Sequence, residues 1–433
     1  MRNLLSTGLI ISLLTLISCE ESWFQEVDPL KDVAEDRELK DREDLPFLIK
    51  GVKVRLGTVH DNVSMLSDLL SDQLEFTQNV TNATFPSYNQ IDGMGRADEY
   101  DDGSAYDDNN SAGYAYTYLG QLRKYADLLV ETVSGLDATD ATADDASAFY
   151  TGYLYGGLSR HMYATYFGLE SGGDSGSPID DSPMIYSEAM YDDARAKFTA
   201  GLDHASDAEK RILNSLIART YLYQKNYATA ATHAALGMVE GDDPLVSEYS
   251  AMSTNEYYQH AGVGRTQCMV AGRFLDYVTA DPGEAVRLPV QEAPTTSGET
   301  QRYIQTKYDE SSDPINIVSW QENHLMLAEL SLRGQSVAVS PADAVNTIRA
   351  VHGLSALTDV TLDVVYAERD KELFCTGQRL PDQHRWNRWY TATTSEGDSI
   401  IATNVGTTHE EEIFGAWRFL PVTRSEKNNN PNL

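Results

Sequence analysis

Apolar residues recur at three- and four-residue intervals along much of this chain, a spacing typical of helices that bury one face. The clearest case is LGTVHDNVSMLSDLLSDQL, which follows Phe47, the point where order is expected to begin. Its apolar positions are Leu56, Val59, Val63, Leu66, Leu69 and Leu70. The same spacing predicts helices over residues 114–133, 143–167, 187–202 and 207–239. The pattern therefore predicts a mainly α protein.

One part of this pattern, NSLIARTYLYQKNYATAATHAALGMVEG, resembles a tetratricopeptide repeat, in which two helices pack as a pair. The small and aromatic contact residues of such a pair match Ala218, Tyr221, Tyr227, Ala230 and Ala234. Alanines allow two helices to approach closely, and tyrosines fill the gap between neighbouring pairs. Residues 116–130 resemble the first helix of another repeat. Because such units stack side by side, several are expected.

Three long segments interrupt the helical pattern, at residues 81–112, 171–184 and 241–312. Loops of this length in a compact protein are usually functional or disordered. Binding groups concentrate on loops that a rigid scaffold positions. We therefore expect a single domain over residues 47–433, with its binding capacity on these segments.

The composition is globular but strongly acidic. Of the 433 residues, 41% are hydrophobic and 23% charged, and 66 Asp and Glu against 33 Lys and Arg give a net charge of −33. Such a charge makes nucleic acid and anionic membrane surfaces poor partners.

The first nineteen residues, MRNLLSTGLIISLLTLISC, have the pattern of a targeting segment, with a basic Arg2 and a short apolar run. The run is too short to span a bilayer. Residues 16–19 resemble the lipobox of bacterial lipoproteins, so we expect residues 1–18 to be removed and Cys19 to be lipidated. Residues 19–46 then form an acidic tether, whose opening CEES is similar to surface-export signals of Bacteroidetes lipoproteins.

Two short motifs resemble parts of catalytic sites, but each lacks the other residues that such a site needs. GDSGSP, which contains Ser175, is close to the nucleophile motif of trypsin-like proteases, but His60 and His161 lie in helical patterns rather than in a β-barrel. A flexible loop explains the string. HEEEI at His409 lacks the second histidine that a helical zinc site needs. We therefore predict a protein that is not an enzyme.

Hard cations prefer several oxygen ligands from one flexible loop, so DEYDDGSAYDDNN raises a calcium hypothesis. Its carboxylates are Asp98, Asp101, Asp102 and Asp107. The string lacks the spacing of an EF-hand, and a solvated acidic loop is the favoured interpretation. No other cofactor is indicated. Cys268 and Cys375 are expected to be unpaired buried thiols.

The segment ERDKELFCTGQRLPDQHRW resembles the C-terminal signature of the SusD/RagB family of outer-membrane lipoproteins. The matching positions are Glu368, Arg369, Glu372, Leu373, Gly377, Arg379, Arg385 and Trp386. The departures are Cys375, Thr376 and Pro381, which affect local packing.

Further segments match the family in the expected order. Residues 320–332 resemble the helix that carries two glutamates, here Glu322 and Glu329, and residues 344–354 resemble the segment that carries Arg349. The C-terminal end matches at Pro421, Glu426, Asn430 and Pro431.

The resemblance implies a tetratricopeptide-like scaffold with long loops and a few short strands. It also implies a surface lipoprotein of the outer membrane that captures glycans as the lid of a SusC-like TonB-dependent transporter. Two alternatives remain open: a peptide cargo for the same importer, and an envelope scaffold without a small-molecule ligand.

The resemblance also suggests roles for individual residues. The charged signature segment is expected to brace the scaffold against the C-terminal tail, since paired burial avoids stranded charges. Ligand capture in the family uses aromatic rings on loops, because a sugar ring stacks on an aromatic face while its hydroxyls bond to polar groups. The candidates here are Tyr88, Asn89, Arg96, Tyr100, Tyr106, Tyr257 and Tyr258.

Overall fold

The computed structural model describes residues 39–76, 86–95, 106–293, 301–386 and 417–433. Residues 45–433 form one compact unit, and residues 1–44 form a separate unit, of which only 39–44 are described. A 3-10 turn at Arg42–Asp44 lies in the first unit.

The compact unit is built mainly from α-helices. They are α1 (Leu45–Leu70), α2 (Pro86–Gly95), α3 (Asn110–Ser134), α4 (Ala143–Tyr166), α5 (Ser187–Gly201), α6 (Asp207–Tyr223), α7 (Tyr227–Ala234), α8 (Glu256–Ala261), α9 (Arg273–Ala280), α10 (Trp320–Leu332), α11 (Pro341–Val351), α12 (Leu362–Glu372), α13 (Arg379–Trp386) and α14 (Arg424–Asn429). None of the described helices is long and apolar enough to cross a membrane.

Short strands form pairs, most of which join segments that are far apart in the chain. They are β1 (Leu74–Phe76), β2 (Phe167–Gly168), β3 (Gly176–Ser177), β4 (Ile185–Tyr186), β5 (Leu245–Ser247), β6 (Cys268–Val270), β7 (Val290–Glu292), β8 (Tyr303–Gln305), β9 (Ile315–Val318) and β10 (Leu420–Pro421). The antiparallel pairs are β1 with β6, β3 with β4, β5 with β9, and β7 with β8, whereas β10 pairs in parallel with β2. These pairs fasten the irregular segments to the helical body.

Helix α1 is the centre of the core. Its apolar face, which includes Leu56, Val63 and Leu66, is buried, and the helix packs against α3 and α4. Local signals fix the ends of the neighbouring helices. Thr142 forms a capping box at the start of α4, and Ser206 forms one at the start of α6. The predicted mainly α fold is confirmed.

The predicted helix over residues 207–239 is two helices, because the chain reverses direction after α6. Lys225 takes a positive φ of 60°, and the Asn226 side chain accepts a hydrogen bond from the Thr229 backbone to begin α7. A small cluster of alanines with Met326 and Leu330 joins α6, α7 and α10. The helix pair that resembles a tetratricopeptide repeat is therefore present.

All three segments predicted to be loops contain regular structure. Residues 81–112 include α2, residues 171–184 include β3, and residues 241–312 include α8, α9 and four strands. That part of the prediction is wrong because these helices and strands are short, and short elements leave little periodicity in the sequence.

Candidate functional site

The signature segment forms α12 and α13, and its charged side chains are buried in ion pairs. Glu368 accepts from Arg349 at 3.0 Å, Lys371 at 2.6 Å and Arg287 at 2.7 Å. Glu284, which follows α9, accepts from Arg287 at 2.6 Å and from Lys371 at 2.9 Å. Burial raises the pKa of Glu284, but these cations outweigh it and hold that pKa at about 2.

Two further groups of ion pairs continue this network. Arg379 donates to Asp72 at 2.6 Å, just beyond the end of α1, and Arg273 on α9 donates to Asp370 at 2.9 Å. Thus the signature segment is tied to both α1 and α9.

The other group reaches α10. Arg369 donates to Asp382 at 2.8 Å, and Arg385 donates to Glu329 at 2.6 Å. Glu322 pairs with the fully buried Arg219 of α6 at 2.8 Å. The partners of the signature segment lie mainly on helices of the body, and His384 adds one bond to the Arg418 carbonyl in the C-terminal segment. We interpret this network as a structural brace, because its charges are paired and closed to solvent.

Gly377 explains why the signature contains a glycine. Its φ is +76°, and a Cβ there would lie 2.8 Å from Ser64 on α1. The departure at Cys375 also takes a positive φ, of 53°. Cys268 and Cys375 are buried free thiols, as predicted.

The tyrosines predicted to offer exposed rings are largely buried. Tyr257 is fully buried, and its hydroxyl donates to Asp68 at 2.5 Å. Tyr88 on α2 is buried with its ring centroid 5.3 Å from that of His260, and Tyr106 is buried against Trp417 at 4.7 Å. The expected exposure of these three is wrong, because the segments that carry them fold onto the core.

Two of the other candidates lie among the described residues. Asn89 and Tyr258 are partly exposed, and their role in ligand binding remains a prediction. Arg96 and Tyr100 lie outside the described residues, as does the lipidation site Cys19.

Calcium also remains a prediction. Asp98, Asp101 and Asp102 lie outside the described residues. Asp107 accepts hydrogen bonds from Arg424 at 2.8 Å and from Lys427 at 3.1 Å. Among the described residues, no three His, Cys, Asp or Glu side chains converge on a possible metal position.

The motif that suggested a protease has a structural role. Ser175 is buried, and its hydroxyl donates to the Ala164 carbonyl at 2.6 Å, so it fastens the loop before β3 to α4.

Exposed aromatic rings lie on a different element, the outer flank of α3. Tyr114 is 45% exposed, Tyr125 is 39% exposed, and Tyr118 is partly exposed between them. At 3.6 residues per turn these three positions lie within about 40° of one another and extend over about 16 Å. The rings of Tyr114 and Tyr118 have centroids 4.3 Å apart. We call these three residues the tyrosine row.

The tyrosine row was not predicted from the sequence, because residues 114–133 were interpreted as a core helix. The signal was present, since positions 114, 118 and 125 share one side of a helix. That side adjoins the buried face formed by residues such as Leu119, Leu122 and Ala126.

Arg55 of α1 lies across the tyrosine row. The central carbon of its guanidinium is 4.6 Å from the Tyr118 ring centroid and 5.7 Å from that of Tyr125. This is the range of a cation–π contact. The row therefore combines partly exposed aromatic rings with a positive charge.

Acidic groups lie at the Tyr114 end of the row. Asp61 is buried and accepts from the Glu256 backbone at 3.2 Å, and the Glu256 carboxylate lies 3.1 Å from His260. Burial, together with the charge of Glu256, raises the pKa of Asp61. Burial, contact with Tyr118 and these carboxylates raise the pKa of Tyr114 to about 12.

A cleft of about 440 Å³ lies on the opposite flank of α1. Leu56 and Met238 are among its lining residues, with Lys53 and Glu248 at its exposed rim. Its aromatic residue, Tyr155, is only 5% exposed. The cleft therefore offers less open ring surface for stacking than the tyrosine row does.

Comparison with solved structures identifies the fold. The chain is similar to a SusD superfamily protein from Bacteroides thetaiotaomicron, with a TM-score of 0.67, 16% identity, and coverage of 90% of this chain and 98% of that chain. A SusD-like carbohydrate binding protein from Bacteroides vulgatus matches with a TM-score of 0.63, 13% identity, and 91% and 97% coverage.

A laminarin binding SusD-like protein matches with a TM-score of 0.62, 13% identity, and 80% and 91% coverage. No family model matches the sequence, and no curated protein matches it. The chain has the SusD-like fold.

Proposed function

We propose that this protein captures glycans at the cell surface and delivers them to a SusC-like TonB-dependent transporter, for which it acts as the lid. The observation that carries the proposal is the SusD-like fold over about nine-tenths of the chain, since solved proteins of this fold include ones described as carbohydrate binding and as laminarin binding. The lipobox-like residues 16–19 support a lipid anchor at Cys19 in the outer membrane, with the folded part facing outward.

The tyrosine row is our candidate for the glycan site. Tyr114 and Tyr125 are exposed, and the rings of Tyr114 and Tyr118 are in contact. A sugar's apolar face can stack there while its hydroxyls bond to polar groups nearby. The protein acts in this role by binding, without a catalytic step.

Capture and release set opposite demands on such a site. A lid that hands its cargo to a transporter must hold the glycan weakly enough to let it leave. We therefore expect dissociation constants nearer the micromolar than the nanomolar range, roughly −8 kcal/mol or weaker.

The test is a binding titration with the soluble chain that begins after Cys19, against a panel of neutral and acidic oligosaccharides. Tyr125→Ala should weaken binding of the recognised glycan by several-fold to about tenfold. Tyr186→Ala is the matched control, because Tyr186 is 51% exposed on β4 and lies outside the row. Equal affinities for the two variants and the parent chain would exclude the tyrosine row as the site.

A further inference from the structure

Arg55 differs from the arginines of the buried network because its charge is not neutralised. Arg219, Arg273 and Arg385 each pair with a carboxylate within 3 Å. Across the parts of the chain that the structure describes, no carboxylate pairs with Arg55, and its Nε atom is buried without a hydrogen-bond partner. In a chain with twice as many acidic as basic residues, such a charge requires an explanation.

The aromatic rings hold this charge in place. Tyr118 and Tyr125 contact the guanidinium from α3, and rings attract a cation without cancelling its charge. The planar guanidinium fork retains its capacity to bind a carboxylate through two parallel hydrogen bonds. Arg55 is therefore a pre-positioned cation beside an open aromatic surface.

The segments of α1 and α3 around Arg55 also carry positive charge. Residues 45–60 of α1 and 110–126 of α3 contain no Asp or Glu, and their cations are Lys50, Lys53, Arg55, Arg123 and Lys124. Arg123 is paired with Asp127 and Asp180, whereas Lys50 and Lys124 are exposed. These two helices pack against each other, so a positive region lies on an otherwise acidic protein.

The charge also differs between the two ends of the row. Asp61 and Glu256 lie near Tyr114, whereas Arg55 lies between Tyr118 and Tyr125. An anionic group on a ligand is attracted to the Arg55 end, which gives the ligand a direction along the row.

We infer that the tyrosine row binds an oligosaccharide that carries a carboxylate, as uronic acids do, with the carboxylate on Arg55 and adjacent sugar rings on the exposed parts of Tyr114 and Tyr125. This inference rests on the proposed glycan-binding function and specifies its ligand class. A carboxylate matches the flat guanidinium fork, and the positive region favours an acidic chain over a neutral one.

The experiment compares short oligogalacturonates with the same oligosaccharides as methyl esters, which keep the rings and lose the charges. The parent chain should bind the acids at least about tenfold more tightly than the esters, because a charge-assisted hydrogen bond is stronger than a neutral one. Added salt should reduce that preference. Arg55→Gln should bring the ratio of acid affinity to ester affinity close to one.

Lys210→Gln is the matched control for net charge, since Lys210 is exposed on α6 outside the row. It should keep the preference for the acids. Equal melting temperatures of the parent chain and both variants would show that each is folded.

The other outcomes are distinguishable. Equal binding of acid and ester, with both weakened by Tyr125→Ala, would overturn the acidic-ligand inference and leave the glycan-binding proposal standing. If a sulfated oligosaccharide bound through Arg55 and the oligogalacturonates did not, the carboxylate assignment would be overturned. If no oligosaccharide of any class bound, both the inference and glycan binding would be rejected.

Discussion

Replacing Glu368 with glutamine should destabilise the protein more than most single substitutions do. In the folded protein Glu368 accepts from three cations, Arg287, Arg349 and Lys371. Among the described residues, the buried carboxylates Glu284 and Glu372 would remain, together with the half-exposed Asp281, which lies 3.9 Å from Arg349. The variant would therefore leave three buried cations with only two buried counter-ions.

The expected magnitude follows from that stranded charge. Removing one partner of a buried ion pair costs about 3–5 kcal/mol in the free energy of unfolding. Glutamine is similar in size to glutamate, so the loss reflects charge and hydrogen bonding rather than a cavity.

Urea denaturation followed by circular dichroism measures this effect. For a denaturant slope of about 3 kcal/mol/M, the upper end for small proteins, the midpoint should fall by roughly 1.0–1.7 M, and by less if the slope is steeper. The control is Glu131→Gln, the same chemical change at an exposed position of α3, which should alter the free energy of unfolding by less than about 0.5 kcal/mol. Equal midpoints for the two variants would refute the view that this network stabilises the fold.

Three other perturbations test separate parts of the fold. Burial raises the pKa of Glu329, but the surrounding arginines outweigh burial and lower that pKa to about 2. The ionised carboxylate therefore stabilises the fold above pH 4.5, and this stabilisation is lost as the pH falls toward 2. In urea denaturation at a series of pH values, Glu329→Gln should reduce the loss of stability in acid. Burial raises the pKa of Asp68 to about 7, so the contribution of its neutral form to stability is lost as pH rises from about 4 through 7. Asp68→Asn should make the free energy of unfolding fall less steeply with pH between pH 5 and 8. Gly377→Ala should lower the melting temperature more than Gly353→Ala, because both positions have positive φ but only a Cβ at 377 meets Ser64, and equal shifts would contradict this contact.

Helix positions were the part of the fold that the sequence predicted best. In α1, residues such as Val59 and Val63 repeat at the period of a helix whose buried face is nearly continuous, so the local pattern and the tertiary packing agree. The resemblance implied a few short strands, but their positions were not predicted, since pairings such as β10 with β2 depend on contacts between distant segments.

Exposure of individual tyrosines could not be predicted in the same way. A tyrosine has an apolar ring and a polar hydroxyl, so it suits either a core or a surface. Tyr257 is buried because α8 packs against α1, where its hydroxyl donates a hydrogen bond to Asp68. Tyr114 and Tyr125, on a helix with a strong core face, are exposed because they lie on its flank. Helical phase alone could have indicated the second case, whereas the first needed the three-dimensional structure.

The proposed role as the lid of an importer is tested most directly by co-purification. The full-length lipidated protein, tagged at the C-terminus, should be isolated from mildly solubilised outer membranes and its partners identified by mass spectrometry. We expect a large TonB-dependent β-barrel in stoichiometric amount. Recovery of lipidated, surface-exposed protein without such a barrel would contradict the importer role.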